Sequence, residues 1–433
     1  MTALVQDPGR VRDIAAAMAS GALTSEALVH RCLDRIAEVD GKVQAWIHVL
    51  ADEALATARA LDAERRAGVV RSTLHGIPIA VKDVIDVRGL PTRANSPSRA
   101  DIAPATADAT VVAHLRAAGA VVLGKVHTTE YAYFQSIPPT RNPWDVSRTP
   151  GGSSAGSAAA IASGTVPLAL GTQTAGSVNR PAAYCGTGAF KPSTLSIGGT
   201  GIVPLAPSFD TVGAFGATAQ DAVYLAAGFA ADHLGLRAST AASAVIVVLE
   251  DTMIADQTAA STAAQVAALA ERLAGAGLSL RRAATPVPLA RILETHRRVL
   301  IAELARTHAR VPRDRVAPRL AADIEAGLRV AEADYLSDLR ALAGFRRDFW
   351  AGFAPGGMLL MPAAPDVAPA DGTTGDPSFV IPTTALGGPV ATLRAGLAAN
   401  SGMPVGALLF SAPGADARLA GFLLSPTATA LDL

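Results

Sequence analysis

An α/β fold is what this sequence predicts: one sheet covered by helices, its two halves separated by a largely helical insertion. Three observations point there. Short β-type runs alternate with helix-periodic segments between residues 75 and 124. From about Thr218 to Trp350 the texture turns to Ala, Leu, Arg and Glu with helical spacing. Strand and turn material then returns at Met358–Pro362 and Pro404–Phe410.

Taken in order, residues 1–70 form an N-terminal helical layer. From Val11 to about Arg66 apolar residues recur at intervals of three and four, as in Ile14, Met18, Leu28, Cys32, Leu33 and Ile36, which reads as a series of amphipathic helices. Residues 71–217 form the core. His75 to Asp83 is a short apolar β-type run with one lysine, Lys82, near its end, and a helix over Ala109–Ala118 precedes a strand at Gly119–Gly124. Residues 218–350 are the insertion, with helical spacing at Val266, Leu269 and Leu273 and one strand at Ala244–Leu249. Residues 351–433 complete the core.

With 433 residues, half of them hydrophobic and only 17% charged, the chain has ample material for a large core. Its 37 basic residues balance 37 acidic ones, so no net field gathers nucleic acid or an anionic membrane, and neither is expected as a partner. Two cysteines, Cys32 and Cys185, make no disulfide framework and lack metal-ligand spacing; they read as buried small hydrophobes. Asp7, Arg10, Arg12 and Asp13 fall where a secretory peptide needs an apolar stretch, and the Ala-rich runs are broken by Gly, Ser, Thr and Pro. A cytoplasmic protein is the expectation.

Two glycine-rich loops carry the candidate chemistry. Pro150 to Ser157 (PGGSSAGS) runs into an alanine-rich helix, a junction that can expose a serine at a helix start. Gly171 to Ser177 (GTQTAGS) can aim successive backbone N–H groups at one point. Read by themselves, these loops fit catalysis, helix capping or anion binding, although neither has the spacing of a P-loop or a dinucleotide fingerprint. Lys82 in an apolar run must be paired, exposed or used chemically, and Asp83 and Asp86 are its nearest acidic neighbours.

The sequence resembles the amidase signature family. The likeness is carried by LHGIPIAVKD at 74–83, GKVHTTEYAY at 124–133, RNPWDVSRTPGGSSAGSAAA at 141–160 and LALGTQTAGSVNRPAAYCG at 168–186. KPS at 191–193, SFDTVGAF at 208–215, DYLSDLR at 334–340 and GMPVGALLF at 402–410 extend it in the family's order. The resemblance implies a central mixed sheet covered by helices. It implies that Lys82 is the catalytic lysine, Ser153 the bridging serine after a cis peptide bond, and Ser177 the nucleophile. It further implies an oxyanion hole built from the backbone N–H groups of Thr174, Ala175, Gly176 and Ser177.

The activity so implied is hydrolysis of a small-molecule carboxylic amide through an acyl-enzyme, with neither metal nor organic cofactor. A homodimer is compatible with it. Two alternatives within the family are the glutaminase subunit of a tRNA-dependent amidotransferase and an allophanate- or carboxybiuret-type hydrolase. The sequence departs from the family's usual pattern at Ala155 and Ala175, where glycine is common, and at Gln173, where many members carry aspartate. Malonamidase and some other small-amide hydrolases of the family share the GTQT phrase. By that likeness Arg180 faces a substrate carboxylate or carbonyl, against a structural reading as an ion pair or backbone brace. Tyr131 and Phe134 are assigned to an acyl-pocket wall or to core packing. His75 and His127 read as structural, and Asp210 as a loop brace.

Overall fold

The computed structural model describes residues 4–134, 137–234, 245–354 and 356–433. Its centre is one mixed sheet of eleven strands. These are β1 (Trp46–Val49), β2 (Pro78–Lys82), β3 (Val121–Val126), β4 (Leu168–Gln173), β5 (Gly188–Lys191), β6 (Thr211–Gly216), β7 (Val245–Glu250), β8 (Ser279–Ala284), β9 (Met358–Pro362), β10 (Val390–Leu397) and β11 (Pro404–Phe410). They lie in the order β1-β3-β2-β4-β6-β5-β10-β11-β9-β7-β8. β2 runs parallel to β3 and β4, and β7 parallel to β8 and β9, while the strands between them pair antiparallel.

β2, β3 and β4 are buried along their whole length because helices cover both faces, which is why they read as continuous apolar runs without alternation. The two outermost strands are marked differently. β1 has four residues, and β8 carries Arg281 and Arg282 on an exposed edge, devices that keep a free sheet edge from pairing with another chain.

The N-terminal layer holds helices Val11–Ala19, Ser25–Val43 and Ala51–Arg66. The continuous helical reading of this layer missed β1. Gln44 adopts the left-handed conformation that ends the second helix, and the Asp40 carboxylate accepts the Ala45 N–H at 2.7 Å, so the chain leaves the helix extended. The helix at Thr110–Ala117 and the strand at Val121–Val126 lie within one or two residues of expectation.

Residues 218–350 also differ from expectation, since they add two strands to the sheet rather than one. β7 begins at Val245, and the Ala244 assigned to it lies outside the described residues. β8 was missed because SLRRAA has neither alternation nor an apolar run; its pairing with β7 is what extends it. Val266, Leu269 and Leu273 do form the buried face of helix Ala260–Gly275. Cys32 and Cys185 are buried and free. No helix among the described residues is long and apolar enough to cross a membrane.

Candidate active site

The parallel pairing of β2 with β4 sets Val81 beside Leu170, so Lys82 and Thr172 emerge together at the carboxyl ends of their strands, the usual place for a site in parallel α/β sheets. Lys82 is fully buried. Its Nζ lies 2.7 Å from Ser153 Oγ, 2.8 Å from Thr172 Oγ1 and 3.3 Å from the Thr172 carbonyl. Neither neighbouring acid reaches it: Asp83 pairs with Lys125 at 2.6 Å, and Asp86 accepts the Thr92 hydroxyl at 2.6 Å. Burial therefore pushes Lys82 well below the usual lysine range, with the more distant Asp210 only partly opposing the shift.

Ser153 follows a cis peptide bond from Gly152. The two residues sit just ahead of helix Ala155–Ala162, whose eight residues are all buried. That helix can approach so closely because its residues are small. A Cβ on Gly156 would stand 2.4 Å from the His127 nitrogen and 2.7 Å from the Ala45 oxygen, so only glycine fits there. The Gly156 N–H donates to the His127 carbonyl at 3.0 Å, which docks the helix start onto the end of β3.

The loop Thr174 to Ser177 connects β4 to helix Asn179–Cys185. All four of its carbonyls are held. His296 Nε2 donates to Thr174 O at 2.9 Å, and Thr384 Oγ1 donates to Ala175 O at 2.6 Å. The Arg180 and Ser154 N–H groups donate to Gly176 O and Ser177 O, at 3.0 and 3.3 Å. Among the described residues the N–H groups of Ala175, Gly176 and Ser177 donate to no protein acceptor. Fixing the carbonyl of a planar peptide fixes the direction of its N–H as well, so this loop presents oriented, uncommitted donors.

Gln173 braces the same turn. Its Oε1 accepts the Val178 and Asn179 N–H groups at 2.8 and 3.0 Å, and its Nε2 donates to Asn179 Oδ1 and Thr384 Oγ1 at 2.8 and 2.9 Å. An aspartate offers only acceptors; the glutamine caps the helix start and ties the loop to helix Val380–Ala385 as well.

The structure brings Lys82, Ser153 and the 174–177 loop together and places the other named residues around them. Arg180 is buried and committed to the backbone: it donates to Gly375 O at 2.7 Å, to Gly152 O at 2.8 Å and to Thr374 Oγ1 at 3.1 Å. It thus braces the carbonyl beside Ser153; among the described residues no carboxylate is bonded to it and its buried Nε has no partner. Tyr131 is buried, its hydroxyl 2.8 Å from Ser98 Oγ and its ring 4.5 Å from that of His308, contacts of packing. Phe134, with its neighbour Tyr133, lines a cavity of about 350 Å³. Asp210 accepts the Thr174 hydroxyl and the Leu205 N–H, and burial raises its pKa. His75 is spoken for, its Nε2 at 2.9 Å from the Leu61 carbonyl and its Nδ1 accepting the Arg71 N–H. His127 has a buried Nδ1 without a partner among the described residues, and burial pushes it down to about 4.

Sequence reasoning missed Thr172, His296 and Thr384. Thr172 lies inside the quoted GTQT phrase and was within reach. His296 and Thr384 sit in segments without a local pattern, and their role exists only once distant parts of the chain meet.

An amidase family profile matches residues 27–420. Over 217 residues the chain is 45% identical to the glutamyl-tRNA(Gln) amidotransferase A subunit of Anaeromyxobacter sp. (strain K), a match covering 49% of this chain. It covers 44% of that relative, so less than half of the relative's length is represented. Similarity to solved structures extends much further. A crystal structure described as an amidase superposes with a TM-score of 0.86 at 29% identity, over 98% of this chain and all of the other. The inhibitor-bound protein reported with "an unexpected vestigial protein complex" and the origins of an s-triazine catabolic enzyme superposes at 0.87, with 28% identity over 97% and 99% of the two chains. The peptide amidase of Stenotrophomonas maltophilia superposes at 0.79, with 27% identity over 95% of each. With the profile spanning nearly the whole chain and the sheet shared along its length, the chain belongs to the amidase signature family.

Proposed function

We propose that this protein hydrolyses a carboxylic amide to a carboxylate and ammonia or an amine, through an acyl-enzyme on Ser177, with Ser153 relaying protons between Ser177 and Lys82. The observation that carries this reading is the environment of Lys82: fully buried, bonded to no acid, and 2.7 Å from Ser153 Oγ. Burial without a bonded acid lowers the pKa of this lysine and favours its neutral form. Its two N–H bonds then go to Thr172 Oγ1 and the Thr172 carbonyl, and its lone pair accepts the Ser153 hydroxyl proton.

An amide needs both a strengthened nucleophile and an acid for its departing nitrogen. Ser177 attacks the carbonyl carbon as its proton passes to Ser153 and the Ser153 proton passes to Lys82. The developing oxyanion takes the free N–H groups of the 174–177 loop, whose fixed carbonyls keep those donors from reorganising. The same relay returns a proton to the nitrogen as the C–N bond breaks. Water then attacks the ester on Ser177, giving one proton to the relay; the acyl–Oγ bond breaks as the relay returns that proton to Ser177 Oγ, and the released acid loses its remaining proton to solvent as the carboxylate.

The test is ammonia or amine release from malonamate, aliphatic and aryl amides, allophanate and glutamine, with the Ser177→Ala protein as control. Turnover lost in the variant, with an acyl group trapped on Ser177 of the wild type, is the expected result. Turnover that survives Ser177→Ala would sink the assignment.

A second reading, the glutaminase subunit of a tRNA-dependent amidotransferase, is favoured by the 45% identity to the amidotransferase relative. Glutamine as the preferred substrate in that panel, rising on addition of a partner subunit, would select it. Preference for allophanate would select a urea-derivative hydrolase.

A further inference from the structure

We propose that the cavity beside the nucleophile loop selects amides that carry an anionic group some methylenes away from the scissile carbonyl, and that Arg297 is the residue that recognises the anion. This rests on the catalytic reading above and adds to it the class of substrate.

The cavity has a volume of about 350 Å³, within the range of small-molecule sites. Helix Leu289–Thr307 supplies Arg297, Leu300 and Ile301; residues three and four apart share one helix face. Tyr133 and Phe134 form the facing wall, and Arg319 comes from helix Pro318–Leu328. Two contacts tie this space to the loop that holds Ser177. His296, immediately before Arg297, donates to the Thr174 carbonyl at 2.9 Å. Pro377, also in the wall, has its Cβ 3.4 Å from where a Cβ on Gly176 would stand.

The charges decide what the space prefers. Asp323 is answered twice, by Arg319 Nε at 2.5 Å and by the Tyr133 hydroxyl at 2.8 Å. Among the described residues Arg297 makes no ion pair; Glu294, one turn earlier, is not bonded to it, and the adjacent Arg298 is taken by Asp338. The lining therefore keeps a net positive charge at an exposed guanidinium, with aromatic and aliphatic walls between it and the loop. A planar fork of donors suits a carboxylate, and the apolar walls suit the methylenes leading to it. Arg180 offers no equivalent fork, since its Nη1 and Nη2 donate to Gly375, Gly152 and Thr374 and only its buried Nε is unpartnered among the described residues.

The test pairs adipic acid monoamide with hexanamide, equal in carbon count and differing in the terminal carboxylate. The full-length wild type is expected to favour the monoamide by about tenfold or more in kcat/KM, and the preference should shrink as salt rises. Arg297→Glu should abolish that preference, mainly through KM, and Arg297→Lys should keep part of it. No preference in the wild type, or an unchanged one in Arg297→Glu, overturns the proposal. Calorimetric titration of the same pair into Ser177→Ala separates the two readings. Tighter binding of the monoamide there, lost in Ser177→Ala/Arg297→Glu, upholds the site whatever the chemistry; equal binding of both probes, or of neither, overturns it. Turnover by Ser177→Ala itself counts against the nucleophile alone.

Discussion

Three lysines lie fully buried in this protein, Lys82, Lys125 and Lys191, and they differ only in what surrounds the ammonium. Lys125 meets Asp83 at 2.6 Å. Lys191 meets carbonyls, Pro192 O at 2.5 Å and Gly388 O at 3.0 Å, and burial pushes it to about 7. Lys82 meets hydroxyls and one carbonyl. A lysine in an apolar run, as Lys82 is, is thus legible in the sequence as a costly residue, but its chemistry is not, and only the family resemblance gave Lys82 a catalytic role. Because its folded pKa lies below the unfolded value, the unfolded chain binds the extra proton, so this residue costs stability increasingly as pH falls from about 10.5 toward the folded value. Lys82→Met should lower kcat/KM by about 10²- to 10⁴-fold. Its melting temperature relative to wild type should rise as pH falls below about 10.5, and a pH-independent difference would show that Lys82 titrates normally. Activity of the wild type should fall at low pH as Lys82 takes up a proton.

At the level of elements, the site is built from two helix starts, Ala155–Ala162 and Asn179–Cys185, set against the carboxyl ends of β2 and β4. The glycine-rich character of both loops was plain in the sequence, and so was the helix after the first. What periodicity could not give was how closely that helix docks, since alanine and glycine carry no pattern of sidedness. Gly156 is where the docking is tightest. Gly156→Ala would drive a methyl into the backbone of His127 and Ala45, with too little room to relax. A loss of about 3 kcal/mol in chemical denaturation is expected, with activity falling as Ser153 shifts. An unchanged midpoint would mean that the helix does not sit this close.

Across the whole molecule, the region from 218 to 350 and the C-terminal part reach into a loop laid down much earlier in the chain. His296 and Thr384 hold two of its four carbonyls. His296 is buried against Phe209 and pushed down to about 4, so it is neutral above that pH with its Nε2 hydrogen available to Thr174. His296→Phe should lower kcat by about 10- to 100-fold with KM little changed, because the Thr174 peptide plane loses its anchor. His296→Gln, which can still donate, should restore part of the loss; equal defects in both variants would point to simple misfolding. The stability attached to this histidine is present above about pH 6.5 and lost as pH falls toward 4, a slope that His296→Phe should lack. The sequence by itself determined the fold class and the alternation of strand and helix through the core, and by resemblance it nominated Lys82, Ser153 and Ser177 as the proposed catalytic set, because these rest on local pattern and contiguous motifs. Only the tertiary structure showed that Arg180 is bonded to Gly152, Thr374 and Gly375, that β8 extends the sheet, and that Arg297 lines a cavity whose wall includes Pro377, a neighbour of Gly176. Each of those depends on which residues from distant segments come to lie within bonding distance, and no local periodicity encodes that.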